Sequence, residues 1–199
     1  FAFQASPVKP TPRDYRHWRY AQVGSYGIQG ASYTPKGPDR SVTYPAAGNI
    51  DPQQGTLEIS LTSTFDSTAA GELNRGLFDL LWPADTRVEP ERLVAFYWNQ
   101  DDRGMRVVYR EHDAYRCIAG SPYPWKPGEP HTVAFTWGQD AAVYVDGQKQ
   151  IPLPHTPLFL DPVDLQQAVI RIGGMESDFI VHQVRISDTI RAPGELGSG

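Results

Sequence analysis

The sequence predicts an all-β fold, a two-sheet antiparallel β-sandwich. Three observations carry this. Short stretches alternate apolar and polar residues with period two, as in Thr56–Ser63, where Leu57, Ile59 and Leu61 alternate with Glu58, Ser60 and Thr62. Among 199 residues, 18 Gly and 18 Pro are spread along the chain and cut it into short elements with many turns. The run His131–Gln150 places Val133, Phe135 and Trp137 on one face of a strand. Val143 and Val145 then flank Tyr144, and Asp146-Gly147 supplies a hairpin turn.

The elements follow in order. Residues 1–13 carry Pro7, Pro10 and Pro12; proline lacks an amide donor and pins φ, so this segment is an extended arm or linker. It is either a strap across the surface or an arm docking on a neighbouring subunit through Phe1 and Phe3. Residues 14–195 form a single sandwich, with a flexible tail at 196–199. Tyr15 to Tyr44, rich in aromatics and glycine, suits short bent strands, with Ser41–Tyr44 leading into a turn at Pro45–Gly48.

Gly76–Trp82, ended by Pro83, is a strand, and Arg87–Arg92 forms a helical turn. Leu93–Trp98 and Met105–Arg110 make a hairpin through Asn99–Gly104, and Tyr115–Ala119 is a further strand. Ser121–Pro130, with Pro122, Pro124, Pro127 and Trp125, is a loop. Ile151–Pro162 is a proline-rich connector and Asp164–Ala168 a helical turn. Ala168–Ile172 and Phe179–Ser187 are the closing strands, separated by Gly173-Gly174.

Composition narrows the function. A hydrophobic share of 40% supports a core, and a net charge of −5 argues against a nucleic-acid partner, which draws a basic face. No apolar run reaches the roughly 20 residues of a membrane span. The opening FAFQASPVKP lacks a basic leader followed by an apolar stretch, and the absence of an initiator Met suggests a processed chain or an excised domain. Cys117 is the single cysteine, so neither an intramolecular disulfide nor a cysteine metal cluster can form. Between Arg116 and Ile118 it is expected as a buried, inert thiol.

Four pieces, in order, resemble the laminin G-like pattern of the concanavalin A-like lectin/glucanase superfamily. Gly55-Thr56-Leu57-Glu58-Ile59 resembles its early core strand, and His131-Thr132-Val133-Ala134 its Trp-His-x-Val-Ala strand. Val143-Tyr144-Val145-Asp146-Gly147 resembles its Tyr-x-Asp-Gly hairpin. Val181–Ser187 with Arg191-Ala192-Pro193 resembles its closing strand and tail. His182 and Gln183 stand where that pattern usually has two acids. The resemblance implies a jelly roll that binds glycans or serves as an adhesive or accessory module. It transfers no catalytic residue.

The residues offer several chemistries. A hydrolase on this fold needs two carboxylates on one strand face. No Glu-x-Asp-x-x-Glu arrangement occurs; Asp101 and Asp102 fall on a turn, and Glu89 and Glu91 lie beside Pro90 in a connector. A lyase would use Tyr, His and Arg, which Tyr109-Arg110-Glu111-His112, Tyr115 and Arg116 supply without a motif. His17, His112, His131, His155 and His182 lack paired metal-ligand spacing. No cofactor is required; calcium, a hard cation taking clustered oxygens, would find its candidates in Asp101 and Asp102. Sugars stack on aromatic faces, and Trp98 beside Asn99, and Trp125 with Tyr123, are expected as exposed ligand-binding residues.

The sequence therefore predicts a noncatalytic carbohydrate-binding or adhesion module of an exported protein, a secreted or cell-surface lectin whose partner is a glycan or polysaccharide. The alternatives are a structural subunit of an extracellular assembly joined through residues 1–13, and a polysaccharide hydrolase or lyase.

Overall fold

The computed structural model describes residues 21–24, 27–33, 41–69, 74–82, 91–111, 114–150, 157–173 and 178–191. They form two antiparallel sheets. The seven-stranded sheet runs, edge to edge, β1 (Ala21–Gly24), β2 (Gly27–Tyr33), β13 (Phe179–Ser187), β4 (Gly55–Ser63), β9 (Pro130–Trp137), β10 (Ala142–Val145) and β11 (Gln148–Lys149). The six-stranded sheet runs β3 (Ser41–Pro45), β12 (Val169–Gly173), β5 (Arg75–Trp82), β6 (Glu91–Asn99), β7 (Gly104–Glu111) and β8 (Ala114–Ala119). A short helix α1 (Pro162–Gln167) precedes β12.

The period-two pattern decides which face is inside. In the first sheet Ile186, Leu57 and Phe135 pair across β13, β4 and β9, as do Val184, Ile59 and Val133. In the second, Ile172, Phe78, Phe96, Val107 and Ile118 form one row across β12, β5, β6, β7 and β8. All are buried. The layers meet edge to face at Phe135, whose ring lies 6.0 Å from Phe78 and 5.3 Å from Phe96.

Gly55 sits where β4 passes Trp137. A Cβ there would lie 2.1 Å from Trp137 Cζ2 and 2.6 Å from the Ser187 carbonyl oxygen. Gly55→Ala is therefore expected to destabilise the domain by about 2 kcal/mol through overpacking, read by chemical denaturation.

Several expectations need correction. Asp146 and Gly147 do form the tight turn, with φ of 50° and 75°, both positive as a type I′ hairpin requires. That turn joins β10 to β11, however; β9 reaches β10 through residues 138–141. The helix begins at Pro162 rather than Asp164, because Asp161 caps it: its Oδ1 accepts from the Val163 amide at 2.7 Å, and Pro162 suits the first helical position. Glu91 and Arg92 belong to β6 rather than to a helical turn; Arg87–Pro90 lie outside the described residues. So do the arm 1–13 and the tail 196–199. Cys117 is exposed rather than buried, since it points outward from the edge strand β8.

Candidate functional site

A sandwich offers two outer faces, and these two differ. On the seven-stranded sheet, cross-strand pairing places Arg185, Glu58, Ala134 and Tyr144 in one outward row. Glu58, Ala134 and Tyr144 are nonetheless buried, as are Thr56, Thr136 and Ala142 beside them. The Glu58 carboxylate accepts from Arg185 at 3.3 Å and from Arg191 at 3.1 Å, which compensates a charge that burial alone would penalise. Around Glu58, Ala134 and Tyr144 this face is covered, while Ser60, Thr62 and Thr132 farther along the strands are half-buried and His182 is exposed.

The outer face of the six-stranded sheet is half-buried over most of its described positions and becomes exposed toward β8, at Tyr115 and Cys117. One row crosses all six strands: Thr43, Arg171, Asp79, Ala95, Val108 and Cys117. Asp79 is buried between Arg171, whose Nε donates at 3.0 Å, and Arg92, at 3.5 Å. Two residues along the strands in one direction lie Tyr97, Arg106 and Ala119; in the other, Arg110 pairs with Tyr115. Arg106 is held by Asp102, whose Oδ2 accepts from Nε at 2.7 Å and also from Nη2, and it bonds Tyr97 as well. Arg110 meets Asp164 of α1 at 3.6 Å. Tyr115 is 57% exposed, the kind of aromatic face on which a sugar ring stacks. Cys117 lies at the β8 edge of this surface, between Tyr115 and Ala119 along the strand. Burial, with the Asp102 charge, pushes its thiol above the ordinary value against the pull of Arg106, so it is not an activated nucleophile.

The structure disperses the aromatic residues expected to bind a ligand. Trp98 and Trp125 are 1% and 0% exposed. Trp98 lies edge-on to Phe65 at 5.1 Å. Trp125, although in a proline-rich loop, stacks on Phe65 at 6.3 Å and lies 5.7 Å from Phe179. A ring with no exposed face cannot stack on a sugar. The physical reason is the loop's return to the core, fixed by Ser67: its Oγ accepts from the Trp125 amide, and its own amide donates to the Trp125 carbonyl, both at 2.9 Å. Asn99 is buried too, and its side chain organises the β6–β7 turn. Its Oδ1 accepts from the Asp101 and Asp102 amides at 3.1 and 3.0 Å, and its Nδ2 donates to Asn74 Oδ1 at 3.0 Å. Replacing it with Ala is expected to cost about 2 kcal/mol of stability, by denaturant titration.

Tyr123 remains half-buried, but its hydroxyl is committed to Asp146 Oδ2 at 2.8 Å. Burial and that carboxylate push its phenol up to about 12. Asp146 is a hub: Oδ2 also bonds His131 Nδ1 at 2.8 Å, and Oδ1 accepts from the Thr132 amide at 2.8 Å. Its partial burial opposes ionisation, yet these bonds from His131, Thr132 and Tyr123 hold it below the usual carboxylate value. The His131 side chain is buried, its ring 4.5 Å from Trp125 and its Nε2 4.0 Å from Glu129. The His-Thr-Val-Ala and Asp-Gly pieces of the sequence are thus two ends of one structural clasp. Although His, Asp and Tyr meet there, they pin the hairpin to β9 and the Trp125 loop to both.

Among the described residues, those weighed for catalysis are split between the core, the outer face and the end of a hairpin. Tyr109 points into the core, Arg110 points outward to Asp164, and Glu111 pairs with Arg116 at 2.9 Å on the exposed end of the β7–β8 hairpin. Asp102 is engaged by Arg106, and Asp101 is exposed beside it. Among the described residues no group of three or more His, Cys, Asp or Glu is placed to hold a metal. His182, at the bulge in β13, bonds Thr62 Oγ1 at 2.7 Å on the surface. His17, His112, His155 and Glu89 lie outside the described residues.

No family model matches the sequence, and neither does any curated protein. Solved structures match the fold. Trypanosoma rangeli sialidase in complex with sialic acid is similar over 88% of this chain and 28% of that one, with 17% identity and a TM-score of 0.59. The HCR/D W1238A mutant is similar over 88% of this chain and 43% of that one, with 10% identity and a TM-score of 0.60. Ruminococcus gnavus IT-sialidase CBM40 is similar over 86% of this chain and 94% of that one, with 12% identity and a TM-score of 0.55. The chain thus spans less than half the length of the first two. At such identities the likeness establishes an all-β sandwich.

Proposed function

We propose that this domain is a noncatalytic carbohydrate-binding module of the concanavalin A-like, laminin G-like kind, working in an exported or cell-surface protein. The observation that carries the reading is the contrast between the two outer faces. One is covered around Ala134 and Tyr144; the other presents Tyr97, Tyr115 and ion-paired arginines around a floor of small side chains. Such a surface suits a flat, hydroxyl-rich ligand: tyrosine rings meet its C–H faces and guanidinium groups donate to its hydroxyls. The similarity to a CBM40, a carbohydrate-binding module matched over nearly its whole length, supports the same reading.

The test is a glycan array probed with the labelled domain, followed by calorimetry. Binding to at least one glycan with micromolar to millimolar dissociation constant is expected, with no new reducing ends and no unsaturated product on incubation with polysaccharides. An array without a binder would reject the proposal, and turnover would reject its noncatalytic part.

A further inference from the structure

The outer face of the six-stranded sheet carries two stations of like composition. At one end Tyr97 and Arg106 are cross-strand partners, with Asp102 holding the guanidinium. At the other Tyr115 and Arg110 are cross-strand partners, with Asp164 against the guanidinium. Arg106 and Arg110 are four residues apart on the same face of β7, which separates the stations by about 13 Å. Between them lies the row Ala95, Val108 and Cys117, whose short side chains leave a shallow floor. Each guanidinium is charge-matched by an aspartate.

We propose that this strip is an extended-oligosaccharide groove, in which a neutral glycan of about three or more rings lies along β7. One ring meets Tyr97 and Arg106, another meets Tyr115 and Arg110, and the chain between passes over Val108 and Cys117. The inference rests on the carbohydrate-binding reading above and sharpens it in two respects. A spacing of about 13 Å exceeds a single ring, so both stations are used only by an oligomer. The paired charges favour hydroxyls over carboxylates, because a carboxylate would compete with Asp102 and Asp164 for guanidiniums already neutralised. Linking two weak contacts through one ligand raises affinity well beyond either alone.

The experiment probes the domain with neutral and sialylated glycans graded from monosaccharide to hexasaccharide. Calorimetry then follows on a length series of the glycan that binds, with the wild type and Tyr115→Ala. Affinity is expected to rise at least tenfold from monosaccharide to tetrasaccharide and then level off. Tyr115→Ala, an exposed substitution, is expected to lose about tenfold for the tetrasaccharide and to leave the monosaccharide only the Tyr97 station. Because Cys117 is the sole cysteine and lies between the stations, saturating tetrasaccharide is expected to slow its alkylation by N-ethylmaleimide several-fold, read by mass spectrometry.

If no glycan binds, the carbohydrate-binding reading itself falls. If a glycan binds while Cys117 alkylates at an unchanged rate, or binds equally well as a monosaccharide, or binds only when sialylated, the groove is wrong and the broader reading stands.

Discussion

Trp125→Ala is expected to destabilise the domain by about 3–5 kcal/mol, without touching the ligand face. The indole is fully buried and contacts Phe65, Phe179, Tyr123 and His131, whose ring centroids lie 4.5–6.3 Å away. Truncation leaves a cavity at the end of the sandwich where the Ser121–Pro130 loop closes on the core, and it removes the surface against which His131 packs. Urea or guanidinium unfolding followed by circular dichroism reads the loss. A fall of less than 1 kcal/mol would mean that Trp125 is not a core residue, and its role as a surface ligand would return.

Asp146→Ala is the second large effect, expected at about 3–4 kcal/mol. Three side-chain hydrogen bonds disappear, to Tyr123, His131 and Thr132, at roughly 1 kcal/mol net each. The left-handed backbone at φ 50° adds a further cost of about 1 kcal/mol for alanine. Asp146→Asn separates the two contributions, because asparagine tolerates that conformation and keeps a carbonyl acceptor. The pH dependence supplies an independent check. The folded carboxyl lies below its ordinary 3.8, so its contribution to stability is present above about pH 4 and is lost as pH falls through the folded value. Between neutral pH and about pH 2 the wild type is therefore expected to lose more stability than Asp146→Asn. Equal losses would contradict the clasp.

The strands were legible because burial on one face forces alternation, and TLEISLTS can satisfy it only with Leu57, Ile59 and Leu61 inside. The Asp-Gly turn was legible for a similar reason, since few dipeptides adopt two positive φ values in succession. What the turn connects was not, because a strand of two residues, Gln148–Lys149, leaves no periodic signal. The ligand-facing aromatics were misplaced for a specific reason. Trp125 lies among Pro122, Pro124 and Pro127, which marks a loop, and loops are normally exposed. The return of that loop to the core depends on Ser67, 58 residues away in sequence.

The outer face of the six-stranded sheet was harder to find, since Tyr97, Arg106, Arg110 and Tyr115 come from three strands and become neighbours only through register. One signal was present in Met105–Arg110. Its outward positions, Arg106, Val108 and Arg110, alternate charge, small apolar, charge, whereas the outward positions of β4 carry the single charge of Glu58 followed by Ser60 and Thr62. Nothing in the sequence alone indicates which of two outward faces is covered, because Tyr144 and Ala134 are buried on the side where alternation would leave them in water.

The most direct test of the account is amide chemical-shift mapping of the folded domain during titration with neutral oligosaccharides. The account predicts that shifts cluster on β6, β7 and β8, around Tyr97, Arg106, Arg110, Tyr115 and Cys117, while Glu58, Ala134 and Tyr144 stay unmoved. Shifts confined to the seven-stranded sheet or to the Trp125 loop, or none with any glycan, would contradict it.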